Sequence, residues 1–280
     1  MPTTADKILA LRRLHESGCF VIPNPWDIGS ARWLRGLGFK ALATTSSGAA
    51  WSMGYPDNAI TVDMAIEHIR MIVGATELPV NADFESGFAK DGAGLAKSVT
   101  RCLDAGVAAL SIEDSTGNKA KPLFELAEAV DRLKAARVAI DARANGALLV
   151  GRAECFLTGH ETPLKEAIRR LEAYAQAGAD MLYAPGLRKR EEVTALVKAV
   201  APKPVNVLIG WPSELKVADL ADLGVRRISV GGAMARAAWA GFAHAAERIA
   251  SAGSFAGFAT NLPAVDLNGF FRKDMEERRQ

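Results

Sequence analysis

Asn81, Asp83 and Glu85 occupy alternate positions just after Leu78-Pro79-Val80, an apolar-leaning run that reads as a buried strand. Alternate residues of an extended chain project to the same side. An amide and two carboxylates would therefore share one strand end. Carboxylates are seldom taken out of water unless they meet a cation or a metal. A second strand repeats the pattern: Ala109-Leu110-Ser111-Ile112 runs into Glu113-Asp114. Two strands that each end in acid suit a hard cation such as Mg2+, which takes oxygen ligands.

The elements that would position these groups follow from a weak repeat. Leu37-Gly38-Phe39, Ala105-Gly106-Val107, Ala177-Gly178-Ala179 and Leu223-Gly224-Val225 each read as a helix stopped by glycine, a short turn and then a strand. Such units alternate α and β and imply a parallel sheet. The pattern predicts about eight strands, near 19–25, 41–46, 79–84, 109–114, 147–153, 181–185, 204–209 and 227–231. Helical periodicity fills the intervals, and Thr162-Pro163 is a start signal for one helix. The expected fold is a TIM (β/α)8 barrel over residues 1–251, with an extra N-terminal helix, followed by a C-terminal helical tail over 252–280 whose Phe255, Phe258, Leu262, Val265, Leu267, Phe270 and Phe271 are expected to pack on a neighbouring subunit. A doubly wound open sheet needs a glycine-rich phosphate turn after its first strand; Pro23-Asn24-Pro25-Trp26-Asp27 is not one.

In a barrel the strand C-termini share one face and carry the site. Those ends offer Asn24 and Asp27, the hydroxyl-rich turn Thr44-Thr45-Ser46-Ser47, then Asn81, Asp83, Glu85, Glu113 and Asp114. Later strands add Arg152, Glu154, Tyr183, Asn206 and Gly231-Gly232. Acids for a metal, hydroxyls for one carboxylate and a guanidinium for another fit a small anionic substrate held on magnesium.

Composition narrows the class. The chain has 280 residues, 49% hydrophobic and 24% charged, with a formal charge of +2. No block of like charge asks for nucleic acid or an anionic membrane, and no apolar run is long enough to span a bilayer. Cys19, Cys102 and Cys155 lie far apart and odd in number, which points to a reducing cytoplasm.

Thr44-Thr45-Ser46-Ser47-Gly48, Gly54-Tyr55-Pro56-Asp57, Asn81-Ala82-Asp83, Ile112-Glu113-Asp114 and Gly151-Arg152 together resemble the isocitrate lyase and phosphoenolpyruvate mutase superfamily, in order and spacing, from about residue 20 to 240. The resemblance implies a barrel enzyme that binds Mg2+, stabilises an enolate or 2-oxo acid, and cleaves or forms C–C or P–C bonds. It implies a homo-oligomer, a dimer or tetramer, often exchanging C-terminal helices. By the same resemblance, Thr44, Thr45, Ser46 and Ser47 bind a substrate carboxylate and Asp57 sits on a loop that closes over the site. Asp83 and Glu113 hold the metal, largely through water, Arg152 grips substrate oxygens, and Asn206 lies near the distal end of the substrate.

Two departures matter. The superfamily usually has Asp-Ala-Asp, whose first aspartate binds the metal; this chain has Asn81, which can still offer a carbonyl oxygen to a hard cation, and Glu85 could restore the lost charge beside it. The isocitrate and methylisocitrate lyases carry a loop cysteine as acid-base group after the fourth strand. Here Ser115-Thr116-Gly117-Asn118-Lys119-Ala120-Lys121-Pro122 has neither cysteine nor histidine. A lysine of ordinary pKa is a poorer proton donor to an enolate near neutrality than a thiol. A structural reading competes, in which Asp83 and Glu113 form ion pairs and Arg152 merely neutralises them. Cys155 reads as a small buried hydrophobe and His160 as a surface residue.

The expected function is Mg2+-dependent C–C lysis, including decarboxylation, of a small 2-oxo or 2-hydroxy dicarboxylate. The alternatives are a P–C bond mutase or hydrolase acting on phosphonopyruvate-like substrates, and a binding protein that has lost the chemistry.

Overall fold

Leu37, Ala105, Ala177 and Leu223 end their helices, and each next residue is a glycine with φ of +88°, +87°, +100° or +85°. That left-handed backbone turns the chain back toward the barrel at little steric cost. The computed structural model describes residues 2–259 and 265–279. Its strands are β1 (Phe20–Ile22), β2 (Leu42–Ala43), β3 (Val80–Asp83), β4 (Ala109–Glu113), β5 (Leu148–Arg152), β6 (Met181–Tyr183), β7 (Val205–Leu208) and β8 (Arg227–Ser229). All pair in parallel, in the order β1-β8-β7-β6-β5-β4-β3-β2.

The helices are α1 (Thr4–Leu14), α2 (Ile28–Gly36), α3 (Ser46–Ser52), α4 (Val62–Ala75), α5 (Gly92–Asp104), α6 (Leu126–Ala142), α7 (Pro163–Gln176), α8 (Arg190–Val200), α9 (Val217–Asp222), α10 (Ala233–Ala252) and α11 (Leu267–Glu277). This is the expected (β/α)8 barrel with an added N-terminal helix and a helical tail. Helix α4 shows why the ring forms. Ala65, Ile66, Ile69 and Ile72 recur at helical spacing and are buried, while Asp63, Glu67 and Arg70 face water. Leu110 and Leu149 are fully buried between sheet and helices. Burying such a side chain is worth about 1.5–3 kcal/mol.

The seam between β1 and β2 is closed by few bonds. Ala43 N–H donates to Pro23 O at 3.0 Å. Asn24 Nδ2 donates to Thr44 O at 2.8 Å, and Asn24 Oδ1 accepts from the N–H groups of Val230 and Gly231, both at 2.9 Å. Asn24 thus ties three strand ends together. Asp27 caps α2, accepting from Ser30 N–H at 2.6 Å. Helix α7 begins at Pro163 as expected, although Thr162 makes no side-chain capping bond.

Among the described residues no helix is long and apolar enough to cross a membrane. In the tail, α11 lies on α2 of the same chain. Phe270 stacks on Trp33 with ring centroids 4.3 Å apart, and Arg35 meets Glu277 at 2.6 Å. Phe255, Phe258, Val265 and Leu267 stay exposed, and Leu262 lies outside the described residues.

Candidate active site

The register places one functional residue after another around the barrel. Glu113 on β4 pairs with Arg152 on β5, Arg152 with Tyr183 on β6, Tyr183 with Asn206 on β7, and Asn206 with Arg227 on β8. These strand ends surround a cavity of about 420 Å³. Its lining includes Thr44 to Ser47, Asp57, Asn81, Asp83, Arg152, Tyr183, Asn206 and Arg227.

Arg152 is the hub. Its Nη1 is 3.0 Å from Asp83 Oδ1 and 3.2 Å from Glu113 Oε2, and its Nε donates to Glu154 Oε1. Tyr183 lies under the guanidinium, 5.2 Å from ring centroid to Cζ. Burial alone would lower the pKa of Arg152, but Glu113, Glu154 and Asp83 together raise it well above its ordinary value. The acids feel each other as well. Burial pushes Glu113 well up, with Arg152 opposing and Glu154, Asp83 and Glu85 adding repulsion. Glu85 is pushed up to about 8 by burial, then by Asp83 and Asp57. Its Oε1 is buried and has no hydrogen-bond partner, and its backbone sits at φ +47°, unusual for a residue with a Cβ. Asp57 lies on an exposed loop and lines the cavity; partial desolvation there, and then Asp83, raise its pKa.

The stretch Thr44–Ser47, expected as a turn, leads from β2 into the first residues of α3. Thr45 caps that helix, its Oγ1 accepting from Gly48 N–H at 3.3 Å and contacting Ser47 Oγ at 3.1 Å. A hydroxyl-rich sequence looks like a loop because the same side chains that cap a helix also favour turns. Two members of the stretch serve Asp83. Thr44 Oγ1 accepts from Asp83 N–H at 2.8 Å, and Ser46 N–H donates to Asp83 Oδ2 at 3.1 Å. Thr44 and Thr45 are buried, so the Ser46 and Ser47 side chains are the accessible hydroxyls of the segment. Gly232 opposite them has no room for a side chain: a Cβ would come 2.6 Å from Ser47 Oγ.

Asn81 lines the same cavity as Asp83, but the carbonyl oxygen expected to serve a cation is engaged by Arg227. Its Oδ1 accepts from Arg227 Nη1 at 3.1 Å, and its Nδ2 donates to Ala82 O at 3.0 Å. Asn206 accepts from Arg227 Nε at 2.8 Å and donates to Ser229 Oγ at 2.9 Å. Arg227 was not legible in the sequence, since it opens its strand and carries no motif. Nor were the rim pairs Arg188 over Trp211, at 4.5 Å, and Arg236 over Trp51, at 5.6 Å. Glu154 and Tyr183 were visible as strand-end residues without an assigned role.

Strand β4 divides its two acids. Glu113 faces Arg152, whereas Asp114 accepts from Arg170 Nη1 at 3.0 Å, from the Tyr174 hydroxyl at 2.5 Å and from Glu154 N–H at 2.8 Å, locking α7 to the barrel. Cys155 is fully buried and its thiol is pushed up to about 12, first by burial and then by Asp114. None of residues 115–122 lines the cavity; Ser115, Gly117, Asn118, Lys119 and Pro122 border a separate outer groove.

The donor set fits a divalent cation in kind. Asp83, Glu113, Glu85 and Asp57 are hard oxygen donors, and the unpartnered Glu85 oxygen with the raised acids marks an excess of negative charge. Among the described residues no three acidic, imidazole or thiol side chains converge as a ready-made ligand set, because Arg152 stands between Asp83 and Glu113. Mg2+ tolerates this, since it keeps several waters and needs only one or two carboxylates.

Comparison with known proteins agrees with this fold. An oxaloacetate decarboxylase of Pseudomonas savastanoi pv. phaseolicola is 30% identical over 224 residues, covering 75% of this chain and 73% of that protein. A solved protein structure from Burkholderia cenocepacia J2315 is 43% identical, with a TM-score of 0.90 over 96% of this chain and 97% of that one. The structure of 2,3-dimethylmalate lyase, a PEP mutase/isocitrate lyase superfamily member, is 25% identical, with a TM-score of 0.84 over 100% and 98% of the two chains. The profile of the phosphoenolpyruvate phosphomutase family matches residues 11–250, and the chain belongs to that family, within the PEP mutase/isocitrate lyase superfamily.

Proposed function

We propose that this chain is a divalent-cation-dependent lyase that breaks a C–C bond beside the oxo group of a small 2-oxo diacid, with oxaloacetate decarboxylation the reaction its site supports best. One observation carries the choice. Among the described residues the cavity lining holds carboxylates, arginines, hydroxyls and amides, but no thiol, imidazole or amine. Cleavage of isocitrate or methylisocitrate leaves an enolate-like dianion that must be protonated by a positioned acid. Decarboxylation asks less. The C3–C4 bond breaks, its electron pair moves toward the C2 carbonyl, CO2 departs, and the enolate of pyruvate takes a proton at C3 from water.

The residues divide the work. The Ser46 and Ser47 hydroxyls and Arg236 border the cavity where a carboxylate would dock. Arg152, fixed by three acids and stacked on Tyr183, holds positive charge where the enolate oxygen develops. Asp57 at the mouth, repelled by Asp83, adds negative charge on the side where the cation would sit. A Mg2+ ion held through Asp83 and Glu113, with Glu85 and Asp57 beside it, would supply Lewis acidity toward the substrate carbonyl.

A second reading, a P–C bond mutase or hydrolase, draws on the four arginines of the lining, Arg152, Arg188, Arg227 and Arg236, which suit a phosphonate. A product-resolved screen separates the readings. Purified protein with Mg2+ is given oxaloacetate, isocitrate, methylisocitrate and phosphonopyruvate in parallel. Pyruvate and CO2 should form from oxaloacetate. Glyoxylate or pyruvate release from the two lyase substrates should run at least roughly a hundred-fold below the rate of a lyase with the loop cysteine. Rapid cleavage of either lyase substrate, or turnover of phosphonopyruvate alone, would refute the assignment; no turnover of any would favour a binding protein.

A further inference from the structure

Arg227 is a buried cation without a counter-ion. It is 3% exposed, and its surface borders the cavity. Its hydrogen bonds go to neutral amides: Nε to Asn206 Oδ1 at 2.8 Å and Nη1 to Asn81 Oδ1 at 3.1 Å. Among the described residues no carboxylate lies within ion-pair distance of it, whereas Arg152 in the same cavity meets Asp83, Glu113 and Glu154. Burial pushes the Arg227 guanidinium down to about 9, with only Tyr183 opposing. A charge removed from water and paired with nothing is costly, and folded chains rarely keep one without a use.

The arrangement is held in place at some expense. Asn81 and Asn206 approach from β3 and β7 and fix the guanidinium plane, and Ser229 fixes Asn206 in turn. An aspartate at position 81 would sit within ion-pair distance of Arg227 and cancel its charge. The amide orients the guanidinium and leaves the charge free.

We infer that Arg227 receives the second carboxylate of a diacid substrate at the floor of the cavity, and that Asn81 is an amide so that this charge stays available. The inference rests on the diacid reading given above. It makes Arg227 a specificity-determining residue and Asn81 its positioning residue. A charge-assisted pair of this kind is worth at least about ten-fold in affinity.

The test is calorimetry in the presence of Mg2+ with malate and lactate, 2-hydroxy acids that differ by one carboxylate. The parent protein should bind malate at least about ten-fold more tightly than lactate. Arg227→Met should remove most of that preference and leave lactate affinity unchanged, which also reports that the variant is folded. Asn81→Asp, nearly isosteric, should weaken malate in the same way although it adds a potential metal ligand. Should Arg227→Met fail to fold, the Asn81→Asp result decides alone. A malate preference that survives Arg227→Met, or that Asn81→Asp leaves unchanged or increases, overturns the inference and leaves the diacid reading standing. Parent protein that binds neither acid overturns the diacid reading, and this inference with it.

Discussion

Glu85→Gln offers a sharp probe of the acidic cluster, because the change removes a charge and preserves shape. The Glu85 carboxyl is lifted from its ordinary 4.5 to about 8 by burial and by Asp83 and Asp57. Below about pH 4.5 the folded and unfolded chains both carry it protonated, so it costs nothing there. As pH rises toward 8 the unfolded chain releases the proton while the folded chain keeps it. Stability therefore falls with pH across that window and reaches its full deficit above pH 8. A rise of this size corresponds to a deficit on the order of 5 kcal/mol at most. Residual solvent access at this half-buried side chain reduces that to roughly 2 kcal/mol. Glu85→Gln should thus melt at the same temperature as the parent near pH 4.5 and roughly 5 °C higher at pH 9. Mg2+ should shrink the difference, since a bound cation favours the ionised carboxylate. The assay is calorimetric melting at pH 4.5, 7 and 9, with and without Mg2+. Parent and variant losing stability in parallel across this range would refute the view that Glu85 is held with unfavourable charge.

Other consequences follow from named contacts. Arg152→Met should cost about 3–5 kcal/mol in urea unfolding at pH 8, because it strands Asp83, Glu113 and Glu154; a loss under 1 kcal/mol would show that the acids are solvated. The same variant should lose decarboxylation by about a hundred-fold or more, read as pyruvate formed per minute. Trp239–Phe242 and Phe255–Phe258 are two exposed aromatic pairs, at 40%, 63%, 67% and 65%, and we propose that a second copy of the chain covers them. Sedimentation at micromolar concentration should therefore give at least a dimer, and a monomer would count against it.

The barrel was readable because it is written in repeated, local terms. Gly38, Gly106, Gly178 and Gly224 mark helix ends wherever they occur, and apolar strands between them leave one topology. The carboxylates on β3 and β4 were readable for a related reason: acids that end buried strands advertise a cost. What the sequence hid was direction. Asp114 looks the equal of Glu113 until α7 supplies Arg170 and Tyr174 to draw it outward. Thr44–Ser47 looks like a turn until Thr45 is seen capping α3. Asn81 invites comparison with Asp83, yet its partner Arg227 lies 146 residues away, beyond any local pattern. The rim pairs Arg188–Trp211 and Arg236–Trp51 depend on how separate loops meet over the barrel mouth, which no spacing encodes.

In the proposed function the acids around Arg152 would form a cation-assisted site for an enolate. Oxalate mimics the planar enolate of pyruvate, so its binding tests that idea without turnover. Calorimetric titration of oxalate into the parent protein should show tight binding with Mg2+ and binding weakened at least about ten-fold when the ion is chelated. Asp83→Ala should abolish the Mg2+-dependent part. Oxalate binding of equal strength with and without Mg2+, or unchanged in Asp83→Ala, would contradict the account.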